Sequence, residues 1–316
     1  MTRPRIIFSV SAMDDAFEKA VDALSEYADV TTADLENYSL KGADIFVGKK
    51  MRAEKLSEAD NLKAVFAYKT GVDDFPVKEL EKRNIVLVNS HANSRYIAEY
   101  AFGLAVTLVS RIAEFDRKMR IGDWDNDDPY WKSLFDMKAG LIGYGHIGRE
   151  ICRILDSNDI PAYTVDRGKD YTRVTALPSL EDVCDECDIL FLSLPKTEKT
   201  DLMFGKKILG RMSGKYIVNV GRSNCLDESA LYDALASHTL AGAAIDTWRE
   251  KPSSPHERFI PFDRPFQTLD NILLSSHKAM QMCDGHSKYV EDICRKIIRF
   301  ITEGTVTDAV DLSKGY

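Results

Sequence analysis

Residues 141–148 read LIGYGHIG, which puts Gly143, Gly145 and Gly148 in a GxGxxG spacing near the middle of the chain. MKAGLI (137–142) before it ends in a short apolar run that reads as a strand. REICRIL (149–155) after it has the helical period, and IPAYTV (160–165) is a second apolar run closed by Asp166. Strand, glycine turn, helix and strand make a parallel βαβ unit, which confines this part of the chain to a doubly wound α/β sheet. Gly143 allows the tight turn, Gly145 lets backbone approach a pyrophosphate, and Gly148 lets the helix pack on the strand. The helix N-terminus offers unpaired N–H groups and positive dipole to phosphates. Asp166, eighteen residues beyond the last glycine, suits the ribose hydroxyls of a dinucleotide. An ordinary strand–turn–helix is the plainer alternative, and the surrounding pattern argues against it. Tyr144, His146, Ile147 and Arg167 join the three glycines and Asp166 as candidate cofactor contacts, with His146 contributing polarity at the helix start.

The same alternation runs through the chain. RIIFSV (5–10), ADIFVG (43–48), KAVFA (63–67) and IVLVN (85–89) are strand-like and separated by amphipathic stretches such as 13–27 and 76–83. The theme repeats at AYTV (162–165), DILFLSL (188–194), YIVNV (216–220), LAGAAID (240–246) and ILLSS (272–276). Two Rossmann-type halves in series follow from this pattern, and 316 residues favour two domains over one core. A formal charge of −8 argues against nucleic acid or an anionic membrane as the main partner. MTRPRIIFSV lacks the apolar core of a signal peptide, and IAEYAFGLAVTLVS (97–110) carries Glu99 and is too short to span a bilayer, so a cytoplasmic enzyme is expected. Cys184 and Cys187 form a lone C-x-x-C without a second pair at metal-site spacing. They read as reduced thiols on a short helix, and no metal site is expected.

A long helix over about 94–119 connects the halves, with Ile97, Ala101, Leu104, Leu108, Ile112 and Phe115 in one apolar stripe. Phe102, Ala105, Val106 and Val109 are apolar on its other faces, so it is either deeply buried or shared with a second copy of the chain. A last amphipathic helix, about 286–303, carries Tyr289, Ile293, Ile297 and Phe300 toward the first domain.

Beyond the fingerprint, short motifs follow in a fixed order: TGVDDFP (70–76), NSRYIAEYAFGLAVTLVSR (93–111), SLEDVCDECDILFLSLPKTEKT (179–200), YIVNVGRSNCLDESALYDAL (216–235), LAGAAIDTWREKP (240–252) and NILLSSHKA (271–279). Together they resemble the D-isomer-specific 2-hydroxyacid dehydrogenase family over roughly residues 60–300. The resemblance implies a nucleotide-binding Rossmann domain, 97–282, inserted into a flavodoxin-like substrate-binding domain made of 1–96 and 283–316. It also implies NAD as cofactor and a small 2-oxo or D-2-hydroxy acid of the glyoxylate, hydroxypyruvate or pyruvate type as substrate; the apolar faces of helix 94–119 predict a homodimer built through the nucleotide-binding domain.

Arg222 follows the apolar strand YIVNV and a glycine, at the carboxyl edge of the sheet. A guanidinium there can grip a substrate carboxylate bidentately and polarise the adjacent carbonyl, the role the family gives to an arginine at this place. His277 ends ILLSSH, again at a strand's carboxyl end, and titrates where a proton must reach the nascent alkoxide as hydride arrives. The resemblance gives Asp246 to the nicotinamide carboxamide, and Leu194, Pro195, Thr200, Val220, Gly221 and His277 to the cofactor cleft. It gives the backbone N–H groups of Thr70 and Gly71 to the substrate carboxylate, so that their side chains matter less, and Lys69 adds charge at the pocket mouth or is merely solvated. Asp166 favours NAD over NADP, while Arg167 and Lys169 work the other way.

One departure stands out. Where the family carries a glutamate that orients the catalytic histidine, just before the proline of DTWREKP, this chain has Lys251, and Glu250 is one position early. Either Glu250 enters by a register shift, another group serves, or the histidine works without a carboxylate. This departure leaves an NAD(H)-sensing protein with little turnover as the alternative to a dehydrogenase.

Overall fold

Apolar runs four to six residues long, buried on both faces, can only be interior strands of a covered parallel sheet, and that is how the chain uses them. The computed structural model describes residues 3–10, 13–124, 131–168, 171–250, 252, 254 and 258–315. Two compact units divide the chain, Met1–Asn93 with Gln281–Tyr316, and Ser94–Met280. The breaks fall at 93/94 and 280/281, where the sequence reading puts them at 96/97 and 282/283.

The first unit runs β1 (Arg5–Val10), α1 (Asp15–Ser25), β2 (Asp29–Asp34), β3 (Ile45–Gly48), β4 (Ala64–Ala67), α2 (Val77–Lys82) and β5 (Val86–Asn89). Its strands lie in the order β2-β1-β3-β4-β5, every neighbouring pair parallel. Helix α1 starts where the Asp14 carboxylate accepts the backbone N–H groups of Ala16 and Phe17 at 3.1 and 3.0 Å. It buries Phe17, Ala20 and Leu24, spaced to share one helical face.

The second unit opens with α3 (Ser94–Val109) and α4 (Ile112–Arg120), then runs β6 (Ala139–Ile142), α5 (His146–Asp156), β7 (Ala162–Val165), β8 (Thr175–Leu177), α6 (Leu180–Glu186), β9 (Ile189–Leu192), α7 (Lys206–Leu209), β10 (Tyr216–Asn219), α8 (Glu228–Ala236), β11 (Gly242–Ile245) and β12 (Ile272–Leu274). Seven parallel strands take the order β12-β11-β10-β9-β6-β7-β8, so the winding reverses at the β6/β9 boundary. That boundary is where a doubly wound sheet receives a ligand, outside the strands' carboxyl ends.

The expected continuous helix over 94–119 is two helices. Arg111 takes a left-handed conformation (φ 53°), and the axes of α3 and α4 bend by 62° across it. The Arg111 guanidinium holds the Glu114 carboxylate at 2.8 and 2.6 Å, which fixes the corner at the first turn of α4. The apolar stripe therefore stops. Ile97, Ala101, Ala105 and Leu108 are buried in the core of the unit, whereas Ile112 is 50% exposed. Among the described residues no single helix is long and apolar enough to cross a membrane.

The chain closes with α9 (Gly285–Glu303) in the first unit. Tyr289, Val290, Ile293, Cys294 and Ile297 pack with Phe8, Phe17 and Phe66 in one core. Lys296 is buried on the same helix, its ammonium 3.0 Å from Asp292, 3.1 Å from Asp308 and 2.9 Å from the Asn89 carbonyl at the end of β5.

Candidate active site

The fingerprint turn joins β6 to α5. Gly143 sits at φ 103°, and a Cβ there would lie 2.9 Å from the Ser193 carbonyl oxygen at the end of β9. A Cβ on Gly148 would lie 2.0 Å from the Gly143 carbonyl oxygen, so glycine there lets α5 close onto the turn that directly follows β6. Gly145 is different. A Cβ there meets no protein atom within 4 Å, so packing within the unit makes no demand for glycine at that point. Gly145 is also the N-cap of α5 and leaves its first turn without a side-chain cap. An uncapped turn with N–H groups directed outward and an open glycine beside it fits a pyrophosphate.

Tyr144, Ile147 and His146 surround this turn. The Tyr144 ring lies 5.7 Å from that of Tyr171 and its hydroxyl reaches the Cys152 sulfur at 3.7 Å; burial pushes its pKa up to about 12. Asp166 follows β7 and is exposed, with a carboxylate oxygen accepting the Gly168 N–H at 2.8 Å. Arg167 donates its backbone N–H to the Tyr171 hydroxyl at 2.6 Å. Leu194 and Pro195 follow β9, and the buried Thr200 hydroxyl donates to the Pro195 carbonyl at 2.8 Å, which knits their loop together. Burial pushes Cys184 and Cys187 to about 12, so both stay thiols, and no cluster of metal-ligating side chains occurs among the described residues.

Arg222 stands after β10 and is half-buried. Its backbone is fixed by neighbours that sequence reasoning did not single out. The Asn219 carboxamide oxygen accepts the Gly221 N–H at 3.0 Å, and the Cys225 thiol donates to the Arg222 carbonyl at 3.0 Å. Gly221 is required because a Cβ would lie 2.6 Å from the Leu194 nitrogen, while Val220 donates to the Leu192 carbonyl at 3.1 Å.

His277 follows β12 in a left-handed conformation (φ 59°). Asp246, at the end of β11 and 1% exposed, organises this loop. Its carbonyl accepts the His277 N–H at 2.8 Å, and its carboxylate accepts the Ser275 hydroxyl and the N–H groups of Lys278 at 2.8 Å and Ala279 at 3.2 Å. Ser275 is held in turn by the Tyr100 hydroxyl at 2.9 Å and the Trp248 indole N–H at 3.0 Å. Ser275 and Tyr100 were legible only as strand and helix residues, and Trp248 only as part of DTWREKP. The one hint was a polar serine pair interrupting ILLSSH.

Glu250 is exposed and makes no hydrogen bond to His277 among the described residues. Lys251 and Lys169 lie outside the described residues.

In the first unit, Lys69, Thr70 and Gly71 follow β4. Among the described residues neither the Thr70 nor the Gly71 backbone N–H donates a hydrogen bond. The turn is pinned by its side chain after all: the Thr70 hydroxyl bonds the Ser90 carbonyl and the Tyr289 hydroxyl, both at 3.0 Å, and Asn89 donates to the Thr70 carbonyl at 2.6 Å. Lys69 is ion-paired with Asp74, its ammonium 5.6 Å from the Phe75 ring.

The profile of the D-isomer specific 2-hydroxyacid dehydrogenase NAD binding domain matches residues 102–279. A glyoxylate reductase of Korarchaeum cryptofilum is 31% identical over 264 residues, 78% of this chain and 76% of its own. The chain belongs to that family. It is likewise 28% identical to D-3-phosphoglycerate dehydrogenase of Escherichia coli over 84% of its length, but spans only 66% of that relative. The crystal structure of an NADPH-dependent glyoxylate/hydroxypyruvate reductase from Sinorhizobium meliloti, 21% identical, superposes with a TM-score of 0.80 over 99% of this chain and 98% of the other. That likeness extends the shared fold to the first unit, which the profile does not reach.

Proposed function

We propose that this dehydrogenase interconverts a small 2-oxo acid and its D-2-hydroxy acid with NAD(H). One observation carries the reading: Arg222 and His277 follow β10 and β12 at the carboxyl edge of the same sheet whose β6–α5 turn bears the glycine fingerprint. The α5 turn and Asp166 would hold the dinucleotide, which supplies hydride. In the second unit, the Arg222 guanidinium would grip the substrate carboxylate; in the first, Thr70 and Gly71 would offer backbone N–H groups to it. The Arg222 guanidinium also draws electron density from the 2-oxo group, and His277 gives its proton to that oxygen as the alcohol forms. In the reverse direction His277 takes the proton back. Each relative named above is an enzyme, and no observation favours the NAD(H)-sensing alternative.

The assay is NADH oxidation at 340 nm with glyoxylate, hydroxypyruvate and pyruvate in turn; no turnover with any 2-oxo acid sinks the reading. Asp166, an exposed carboxylate where a 2′-phosphate would sit, supports NAD as the preferred cofactor. We expect kcat/KM for NADH to exceed that for NADPH by about tenfold or more, and the opposite order would overturn the cofactor choice. An NADPH-dependent structural neighbour makes this a real contest. A cytoplasmic setting is supported by six cysteines of which none is in a disulfide.

A homodimer is proposed through the second unit, on the α4 part of the expected 94–119 segment and the residues after it. Helix α3 is largely committed to the core. The exposed apolar side chains instead lie on and after α4: Ile112, Met119, Ile121 (81% exposed), Trp124 (74%), Trp131 and Phe135. A run of this size facing water marks an association surface. Sedimentation at micromolar concentration should give a dimer that Ile121→Lys with Trp124→Lys converts to monomer. A wild-type monomer of 35.6 kDa would count against it.

A further inference from the structure

Helix α9 carries a polar stripe beside its apolar one. Tyr289, Asp292 and Lys296, spaced three and four residues apart, share one face of it, and that face meets the carboxyl end of β5. The Lys296 ammonium, 7% exposed, has one acceptor for each of its three N–H bonds: the Asn89 carbonyl at 2.9 Å and the carboxylates of Asp292 at 3.0 Å and Asp308 at 3.1 Å. Asp292 also accepts the hydroxyl of the fully buried Ser90 at 2.6 Å. Asp308 arrives from the segment after α9, which lies along the outer edge of β5. There Val88 pairs antiparallel with Ala309, and Val310 donates to the Leu87 carbonyl at 2.8 Å.

Asn89 and Ser90 are thereby gripped from one side, and with the other they grip the substrate turn. The Asn89 side chain donates to the Thr70 carbonyl at 2.6 Å, the Ser90 carbonyl accepts the Thr70 hydroxyl at 3.0 Å, and the Ser90 N–H donates to the Lys69 carbonyl at 3.1 Å. Tyr289 meets the same Thr70 hydroxyl at 3.0 Å. A chain of bonds therefore runs from Lys296 to the turn that carries the Thr70 and Gly71 N–H groups, all of it within the first unit. Burying an ammonium with carboxylates costs desolvation that their attraction roughly repays, and an apolar side chain of the same size is often as stable or more so. What the ionic arrangement adds is direction, since each charge-assisted bond fixes one acceptor in place.

We propose that Lys296 is a positioning residue for the substrate: by fixing Asn89 directly and Ser90 through Asp292, it sets how Thr70 and Gly71 present their N–H groups to the carboxylate of the 2-oxo acid. The inference rests on the reading of those two N–H groups as a seat for that carboxylate in the first unit. The competing account gives the same ion pairs a purely structural job, fastening α9 and the segment after it to β5. The two accounts differ in what they couple. A fastening lowers thermal stability and leaves the folded enzyme's affinity for its acid alone. A positioning residue changes that affinity, and does so through Thr70.

Three variants decide it, Lys296→Met, Thr70→Val and the two combined, each checked by a thermal melt. Should the uncompensated carboxylates keep Lys296→Met from folding, Lys296→Met with Asp308→Asn removes one charge of each sign and takes its place. With glyoxylate or hydroxypyruvate as substrate, we expect Lys296→Met to raise KM for the acid roughly 5- to 50-fold, with kcat within about threefold and KM for NADH within about twofold of wild type. That is the pattern of a grip lost equally from ground and transition states. Thr70→Val should do the same, and the combined variant should be no more than about twofold worse than the larger single effect, because both act on one turn. A fall in Tm with KM unmoved, a loss in kcat alone, or single effects that multiply in the combined variant overturns the proposal. If Thr70→Val raises KM and Lys296→Met does not, the carboxylate seat stands and positioning by Lys296 falls; if neither raises it, both fall. Calorimetric binding of oxamate in the presence of NADH reads the seat without turnover. Wild-type binding that Lys296→Met weakens, with no NADH oxidation, would sink the hydride-transfer reading and leave the positioning role standing. A wild type that neither oxidises NADH nor binds oxamate overturns both.

Discussion

Replacing Arg222 with alanine should lower kcat/KM for the 2-oxo acid by roughly two to four orders of magnitude while leaving NADH binding in place. The size follows from two losses at once: a bidentate charge-assisted grip on the carboxylate, and the pull on the carbonyl that grows as hydride adds. The selectivity follows from how the residue is mounted. The Arg222 backbone is extended (φ −120°, ψ 143°) and unstrained. It is fixed by the Asn219 carboxamide, the Cys225 thiol and the close approach of Gly221 to Leu194, none of which involves its side chain. Truncation therefore removes the guanidinium, with its long bond to the Gly221 carbonyl at 3.4 Å, and leaves those three supports of the turn in place. Arg222→Lys keeps the charge but loses the planar fork, and should recover only part of the loss. Kinetics at 340 nm with a fluorescence titration of NADH make the test. A folded Arg222→Ala variant that no longer binds NADH would assign the residue to the cofactor instead.

What the sequence makes legible depends on how locally each feature is determined. Interior strands such as Ile6–Phe8 or Leu190–Leu192 are buried on both faces, so they announce themselves as apolar runs. The edge strands β2 and β8 were not expected. DVTTAD is mostly exposed and TAL is without a buried residue, and their pairing with Arg5–Val10 and Tyr163–Val165 is a tertiary fact with no apolar signature. The break at Arg111 was equally silent. Arginine is a good helix former, and nothing in LVSRIAEF shows that the chain will turn through a left-handed residue there.

The site divides the same way. Gly143 and Gly148 are readable because their lack of a side chain is a local requirement of the turn. Arg222 and His277 are readable as polar residues placed after apolar strands. Their supports were not. Ser193 and Trp248 act through partners tens of residues away, and nothing in their local sequence predicts those bonds; Asn219 acts on Gly221 only two residues on, in a turn that no apolar pattern announces. Ser193, for instance, donates its hydroxyl to the Gly143 carbonyl at 2.8 Å, tying β9 to the fingerprint turn across fifty residues. Thr70 teaches the converse. Its backbone was the expected contributor, yet its hydroxyl is what ties the substrate turn to Ser90 and to Tyr289 of α9.

Asp246 carries the largest coupled effect on stability and rate. The resemblance gives it to the nicotinamide, but in the structure its carboxylate accepts the Ser275 hydroxyl and the Lys278 and Ala279 N–H groups. Its carbonyl meanwhile anchors His277, a non-glycine residue held at φ 59°. A left-handed side-chain-bearing residue costs on the order of 1 kcal/mol or more and persists only when its surroundings over-determine it. Asp246→Ala removes the acceptors, strands the buried Ala279 N–H and the half-buried Lys278 N–H, and lets that strain relax. We expect a loss of about 2 to 5 kcal/mol of stability and, at saturating NADH, a fall in kcat of roughly 10- to 1,000-fold as His277 leaves its proton-transfer position. Asp246→Asn keeps one carbonyl acceptor and should do about half the damage to stability. The measurements are Tm by calorimetry, kcat, and KM for NADH on each variant. If KM for NADH rises steeply while Tm and kcat hold, Asp246 serves the nicotinamide and not the histidine loop. If Tm and kcat fall together with KM for NADH nearly unchanged, the carboxylate's work is to keep His277 in place.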